Sequence, residues 1–271
     1  MLKKLLKHEW AASWKIPTIL IGVLLVISIF AGFTFAAPVW ESEMGGLAAL
    51  LVLVWMLYYF AIIGVSVGVV LYLAIRFYKS MYTDEGYLTH TLPVTSHQLL
   101  WSKIIPMAAW NVLATIGIFI SVAIFGLMAI GFLQPDGMGI WETISFMTEE
   151  MVAELGIENI VTFGLSMLAI GIAGVCSGTM MLIGSVTIGQ LVGKHKILGS
   201  IGAYFGINTV MQFVSTACMI PFMFNMAYEE TDNVFSVMMP MYFVMSVVFV
   251  ILSVVLYFIS ELIIRKKLNL D

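Results

Sequence analysis

Six long apolar runs, separated by short polar connections, dominate the 271-residue chain. They cover 16–37, 47–75, 104–133, 159–192, 198–226 and 235–264. A helix of about 20 apolar residues spans the hydrocarbon core of a bilayer. Each run reaches that length, and the longer ones must tilt or project beyond it. The pattern predicts an all-α integral membrane protein with six transmembrane helices in a single domain. Two further segments show helical periodicity. Residues 1–15 set Leu2, Leu5, Leu6, Trp10 and Trp14 against Lys3, Lys4, Lys7 and His8, as in a helix lying in a membrane interface. Within 140–155 of the segment 134–158, Ile140, Ile144, Met147, Met151 and Leu155 recur at helical spacing among four glutamates. That spacing predicts a short helix capping the others.

Composition agrees with the pattern. The chain is 61% hydrophobic and 10% charged, far from the roughly 45–50% apolar and 25% charged of soluble domains. The apolar run after the basic start is 22 residues long. A signal peptide has a shorter apolar core, so the run reads as an uncleaved first span. Cys176 and Cys218 lie inside apolar runs and read as small hydrophobes. With no CxxC pair and no His/Cys cluster, no metal site is expected.

The charges are segregated. Lys3, Lys4, Lys7 and Lys15 precede the first run; Arg76, Lys79 and Lys103 fall between the second and third. Lys194 and Lys196 lie between the fourth and fifth, and Arg265, Lys266 and Lys267 follow the sixth. The alternate connections hold eleven acidic residues and no Lys or Arg. By the positive-inside rule both termini and the 76–103 connection are cytoplasmic, and 134–158 is external.

Inside the runs ionisable side chains are nearly absent, which argues against ion-coupled transport and intramembrane hydrolysis. Asn111, Gln190, Asn208 and Gln212 read as hydrogen-bonding glue between helices. Gly, Ser and Ala recur in the fourth run, so it is expected to pack closely among its neighbours. Glu261 stands four residues before Arg265, a spacing that favours an ion pair. "GQLVGKH", Gly189 to His195, has three residues between its glycines and His195 after the lysine. A phosphate-binding loop needs four residues there and a Ser or Thr after the lysine. No enzymatic activity or bound cofactor is therefore expected of this chain.

The longest polar interruption is "YTDEGYLTHTLPVTSHQLLWSKII", Tyr82 to Ile105. Asp84 and Glu85 suit the start of a helical turn. Pro93 stops it at Leu92. Thr95 with Gln98 three residues on fits a capping box that opens the next helix. The pattern predicts a helix, a short elbow over 82–92, and a second helix. Tyr82, Tyr87 and Leu88 would give the elbow an aromatic, apolar surface of the kind found at protein interfaces. An ordinary solvated connection satisfies the same spacing.

The segments "RFYKSMYTDEGYLTHTLPVTSHQLLWSKII" and "YFISELIIRKKLNL", with a basic N-terminal helix and six spans, resemble the permease subunits of ATP-binding-cassette exporters of the type-two family. The resemblance covers the whole chain in architecture and about a fifth of it in wording. It implies that the elbow is a coupling helix, with Tyr82, Thr83, Asp84, Glu85, Gly86, Tyr87, Leu88 and Thr89 docking on a separate ABC-type ATPase subunit. ATP would be bound by that partner, with a second permease chain, identical or not, completing a dimer in a bacterial plasma membrane. It implies no nucleic-acid partner. The uncharged walls, with 20 Met and 18 Phe in the chain, suit an amphipathic or lipophilic substrate. A peptide toxin or antimicrobial peptide comes first, then a small drug or lipid-like molecule. A membrane scaffold or sensor subunit is the alternative reading.

Overall fold

A computed structural model describes residues 2–36, 45–83, 85–86, 91, 94–133, 139–193, 195–228 and 234–266. Its regular elements, among the described residues, are all helical: α1 (Leu2–Ser13), α2 (Lys15–Phe33), α3 (Gly45–Tyr82), α4 (Ser96–Leu133), α5 (Ile140–Leu155), α6 (Ile157–Gly189), α7 (Lys196–Tyr228) and α8 (Val234–Lys266), with one 3-10 turn at Thr34–Ala36. Six of them, α2, α3, α4, α6, α7 and α8, are long and apolar enough to cross a membrane. Leu, Val, Ile and Phe are exposed along them, among these Phe30, Phe60, Phe119 and Phe213. Such a surface suits lipid tails rather than water, and marks a multi-pass membrane protein. At about 1.5 Å per residue, the 38 residues of α3 reach about 57 Å, well past a hydrocarbon core of about 30 Å.

The helices belong to two compact units. The first holds Met1–Trp10, Leu73–Ala108 and Leu155–Asp271; the second holds Ala11–Tyr72 and Ala109–Glu154. The division falls within α1, α3 and α4 and at the last residue of α5.

In the second unit an aromatic cluster organises the packing. Phe35 lies 5.0 Å from Trp55 and 5.2 Å from Phe125, ring to ring, and Tyr58 stacks on Phe125 at 4.9 Å. The polar tips of these rings find partners, as buried tyrosine and tryptophan must. Trp55 Nε1 donates to Thr34 Oγ1 at 2.7 Å, and the Tyr58 and Ser121 hydroxyls share a hydrogen bond at 3.0 Å. Trp110 Nε1 likewise donates to the buried Ser13 Oγ at 3.0 Å. α5 forms over the residues whose periodicity predicts it; on the predicted stripe Ile144 is half-buried and Met151 exposed, and Trp141 and Phe146, off that stripe, are exposed.

In the first unit α6 packs against α8 and α7, most extensively against α8. The expected burial of α6 holds for its second half. Residues from Ser177 to Thr187 are mostly buried, whereas Ile157, Val161, Leu165 and Ile172 are exposed. Small residues let these helices approach, as at Gly184, where an added Cβ would meet Leu256 of α8 at 3.3 Å. The turn from α6 to α7 is tighter still. A Cβ on Gly189 would lie 2.5 Å from the Ser200 Cα, so glycine is needed there. Glu261 and Arg265 lie one turn apart on α8 but form no ion pair among the described residues. Such a pair is worth only a few tenths of a kcal/mol, and Arg265 is exposed while Glu261 is half-buried.

Candidate functional site

Helix extends into the 76–103 connection from both sides: α3 continues to Tyr82 and α4 starts at Ser96. Phe77, Met81 and Tyr82 at the end of α3 are buried. The Tyr82 ring meets Phe77 edge-on at 6.0 Å, and its hydroxyl donates to Thr187 Oγ1 of α6 at 3.1 Å. Thr187 in turn donates to the Ile183 carbonyl at 2.7 Å. Tyr82 is therefore turned into the first unit rather than out on a surface. Beyond it, Thr83 Oγ1 donates to the Lys79 carbonyl at 2.6 Å, and the Gly86 N–H donates to the Thr83 carbonyl at 2.7 Å. Glu85 and Gly86 are helical; Glu85 is exposed, Thr83 half-buried and Gly86 buried. Asp84, Tyr87, Leu88 and Thr89 lie outside the described residues, as do Leu92 and Pro93. The Thr95 cap forms: the Gln98 N–H donates to Thr95 Oγ1 at 3.3 Å and the Leu99 N–H to the Thr95 carbonyl at 3.0 Å.

Three further contacts root this connection. Glu9 of α1 accepts from Arg76 Nη2 at 3.4 Å and pairs with Lys103 Nζ. Lys103 is 5% exposed. One carboxylate so bridges two cations, one on α3 and one on α4. His97 hydrogen-bonds the Tyr257 hydroxyl, and Trp101 packs on Tyr257 at 5.9 Å, which ties the start of α4 to α8. The α6–α7 turn begins three residues after Thr187, with Gln190, Leu191 and Val192 N–H groups donating to Thr187, Ile188 and Gly189 carbonyls. Hence α1, the α3–α4 connection, the α6–α7 turn and the end of α8 all meet at one end of the first unit. These segments carry most of the Lys and Arg.

Sequence reasoning missed Glu9, whose signal was a lone acid in the basic run "MLKKLLKHEW". It also missed Thr187 and Tyr257 as partners. No group of three or more His, Cys, Asp or Glu side chains that could hold a metal gathers among the described residues. Compared with known proteins, the chain matches no family model, no curated protein and no solved structure.

Proposed function

We propose that the chain is the permease subunit of an ATP-driven exporter, powered by a separate ATPase that docks on the α3–α4 connection. The observation that supports this most is the Tyr82–Thr187 hydrogen bond beside the exposed Glu85. A passive surface loop has no need of a root in a buried helix. An element that must convey force does, because packed interiors transmit displacement rather than absorb it. In this reading both termini and the connection face the cytoplasm. Thr83, Glu85 and the residues after Gly86 form the docking surface, while Tyr82 carries its motion into α6. Two chains and two ATPases make the working assembly, in a bacterial plasma membrane. The uncharged interior passes an amphipathic or lipophilic cargo, a peptide toxin or antimicrobial peptide first. This chain supplies no catalysis and binds no cofactor of its own.

Affinity purification of the full chain from its native membrane tests the reading. A soluble ATPase with a phosphate-binding loop should co-purify in equal amount. Tyr87→Ala with Leu88→Ala should reduce its retention about five- to thirtyfold, the usual effect of losing interface anchors worth about 1–2 kcal/mol, with membrane insertion intact. Retention at the wild-type level in the double variant contradicts docking at this segment. Absence of any ATPase favours the scaffold or sensor reading.

A further inference from the structure

α5 is exposed along most of its described length, yet its two sides differ. At about 100° per residue, Trp141 and Val152 flank the stripe that holds Ile144 and Met151. Trp141 is 82% exposed, Met151 49% and Val152 39%, with Ile144 half-buried. The exposed Glu142, Glu149 and Glu150 fall on the opposite side with Ala153. Phe146, exposed among the glutamates, is the exception, and a lone exposed aromatic is ordinary on any surface. Thr148 lies within the apolar side, but its hydroxyl donates to the Ile144 and Ser145 carbonyls at 2.8 and 2.9 Å. It brings no unmet donor to that side.

The chain before and after α5 points to what covers the apolar side. Gly156, with φ +76°, ends the helix in a backbone conformation that favours glycine. α6 starts at the next residue, and its outer surface suits lipid from the outset: Ile157, Val161, Leu165, Leu168 and Ile172 are exposed and share one side. Glu158, exposed beside Ile157, marks the level where water gives way to acyl chains. At the other end, α4 stops at Leu133 and α5 begins at Ile140, so at most about 25 Å of chain separates them. Both connections hold α5 near the membrane surface.

We propose that α5 lies in the membrane interface, with its Trp141, Met151 and Val152 side seated on phospholipid and its glutamates turned to water. An amphipathic helix of this kind buries its apolar face about 5–10 Å into the headgroup boundary, the depth that tryptophan favours. The occupant is the same lipid surface that covers the start of α6. Contiguous exposed apolar surface marks a contact, and this one adjoins the bilayer. The inference needs only the spans, and neither an ATPase nor a cargo, so it stands apart from the permease reading.

The test uses the full chain, with Cys176→Ala and Cys218→Ala as background, carrying one spin-labelled cysteine at a time in nanodiscs of zwitterionic phospholipid. Lipid concentrates oxygen and excludes a nickel chelate. Labels at Met151→Cys and Val152→Cys should therefore meet oxygen, and meet the chelate about fivefold less than labels at Glu150→Cys and Ala153→Cys. Trp141→Gln should raise chelate access at Met151→Cys about threefold or more, because an aromatic anchor holds the helix at this depth. Phe146→Gln, at another exposed ring, should leave that access unchanged. Thr148→Cys, at headgroup depth, should still react with a water-soluble thiol reagent, about tenfold more slowly than Ala153→Cys. Equal chelate access at all four labels means that α5 stands in water, and overturns the proposal. Shielding of Met151→Cys and Val152→Cys from oxygen and chelate alike means that protein, from a second copy or a partner, covers this side, and overturns it too. So would equal effects of Trp141→Gln and Phe146→Gln.

Discussion

Glu9→Gln should release α1 from the end of the first unit. Glu9 Oε2 sits 3.4 Å from Arg76 Nη2, and Glu9 Oε1 engages the buried Lys103 ammonium. At an effective dielectric of about 20, a pair at such a distance attracts by roughly 5 kcal/mol before desolvation is counted. Desolvation takes back much of that, so the useful quantity is the cost of removing one partner. For a fully buried pair this is about 3–5 kcal/mol, because a charge is left behind without compensation. The Glu9, Arg76 and Lys103 side chains keep 15%, 25% and 6% of their exposure, which lowers the expectation to about 2–3 kcal/mol. Hydrogen exchange of the α1 amides in detergent or nanodiscs reads this directly. Protection should fall about 30- to 150-fold, since about 1.4 kcal/mol is a factor of ten. Adding Lys103→Met to Glu9→Gln should restore part of it, because the abandoned charge is then gone. Lys3→Gln, at an exposed position of the same helix, should do little. Protection within about twofold of wild type in Glu9→Gln would refute the clamp.

Tyr82→Phe should cost about 1 kcal/mol in unfolding experiments, since Thr187 keeps its bond to Ile183; an effect that persists undiminished in a Thr187→Val background would mean the hydroxyl works elsewhere. Gly189→Ala should destabilise by about 3 kcal/mol, because its Cβ meets Ser200 backbone. Gly193→Ala, in open space four residues on, should stay within about 0.5 kcal/mol, and equal effects at the two sites would dismiss the close approach. For the topology, Thr148→Cys should react with an impermeant thiol reagent on whole cells, whereas Glu85→Cys should react only after permeabilisation. The reverse pattern would invert the orientation. Glu85 serves here because it is exposed, whereas Ser80 is 4% exposed and would label poorly on either side.

The six spans were legible because each is a long run whose length alone implies a membrane-crossing helix. The start of α4 was legible because Thr95 and Gln98 form a local signal three residues long, and the structure realises that cap. Local signals reached no further. Glu9 meets residues 67 and 94 positions away, and no periodicity encodes which helix end lies opposite another. Tyr82 was expected on the outer surface because it opens the polar elbow and tyrosine is favoured at protein interfaces. Its inward turn depends on Thr187, 105 residues on. Asn208 and Gln212 read as glue between helices, a sound reading of the residue type. The described residues of the chain itself do not supply their partners. The docking role of Asp84, Tyr87, Leu88 and Thr89 rests on sequence alone.

Cross-linking from the tip of the α3–α4 connection addresses the energy source most directly. Glu85→Cys, in a background with Cys176→Ala and Cys218→Ala, is joined by a short thiol-reactive cross-linker to whatever lies against it in native membranes. A covalent product containing a phosphate-loop ATPase, lost when Met56→Cys replaces Glu85→Cys as the only cysteine, is the result expected of a permease subunit. If that ATPase co-purifies but never joins to Glu85→Cys, or if no ATPase is captured, then the α3–α4 connection is not where this chain receives its energy.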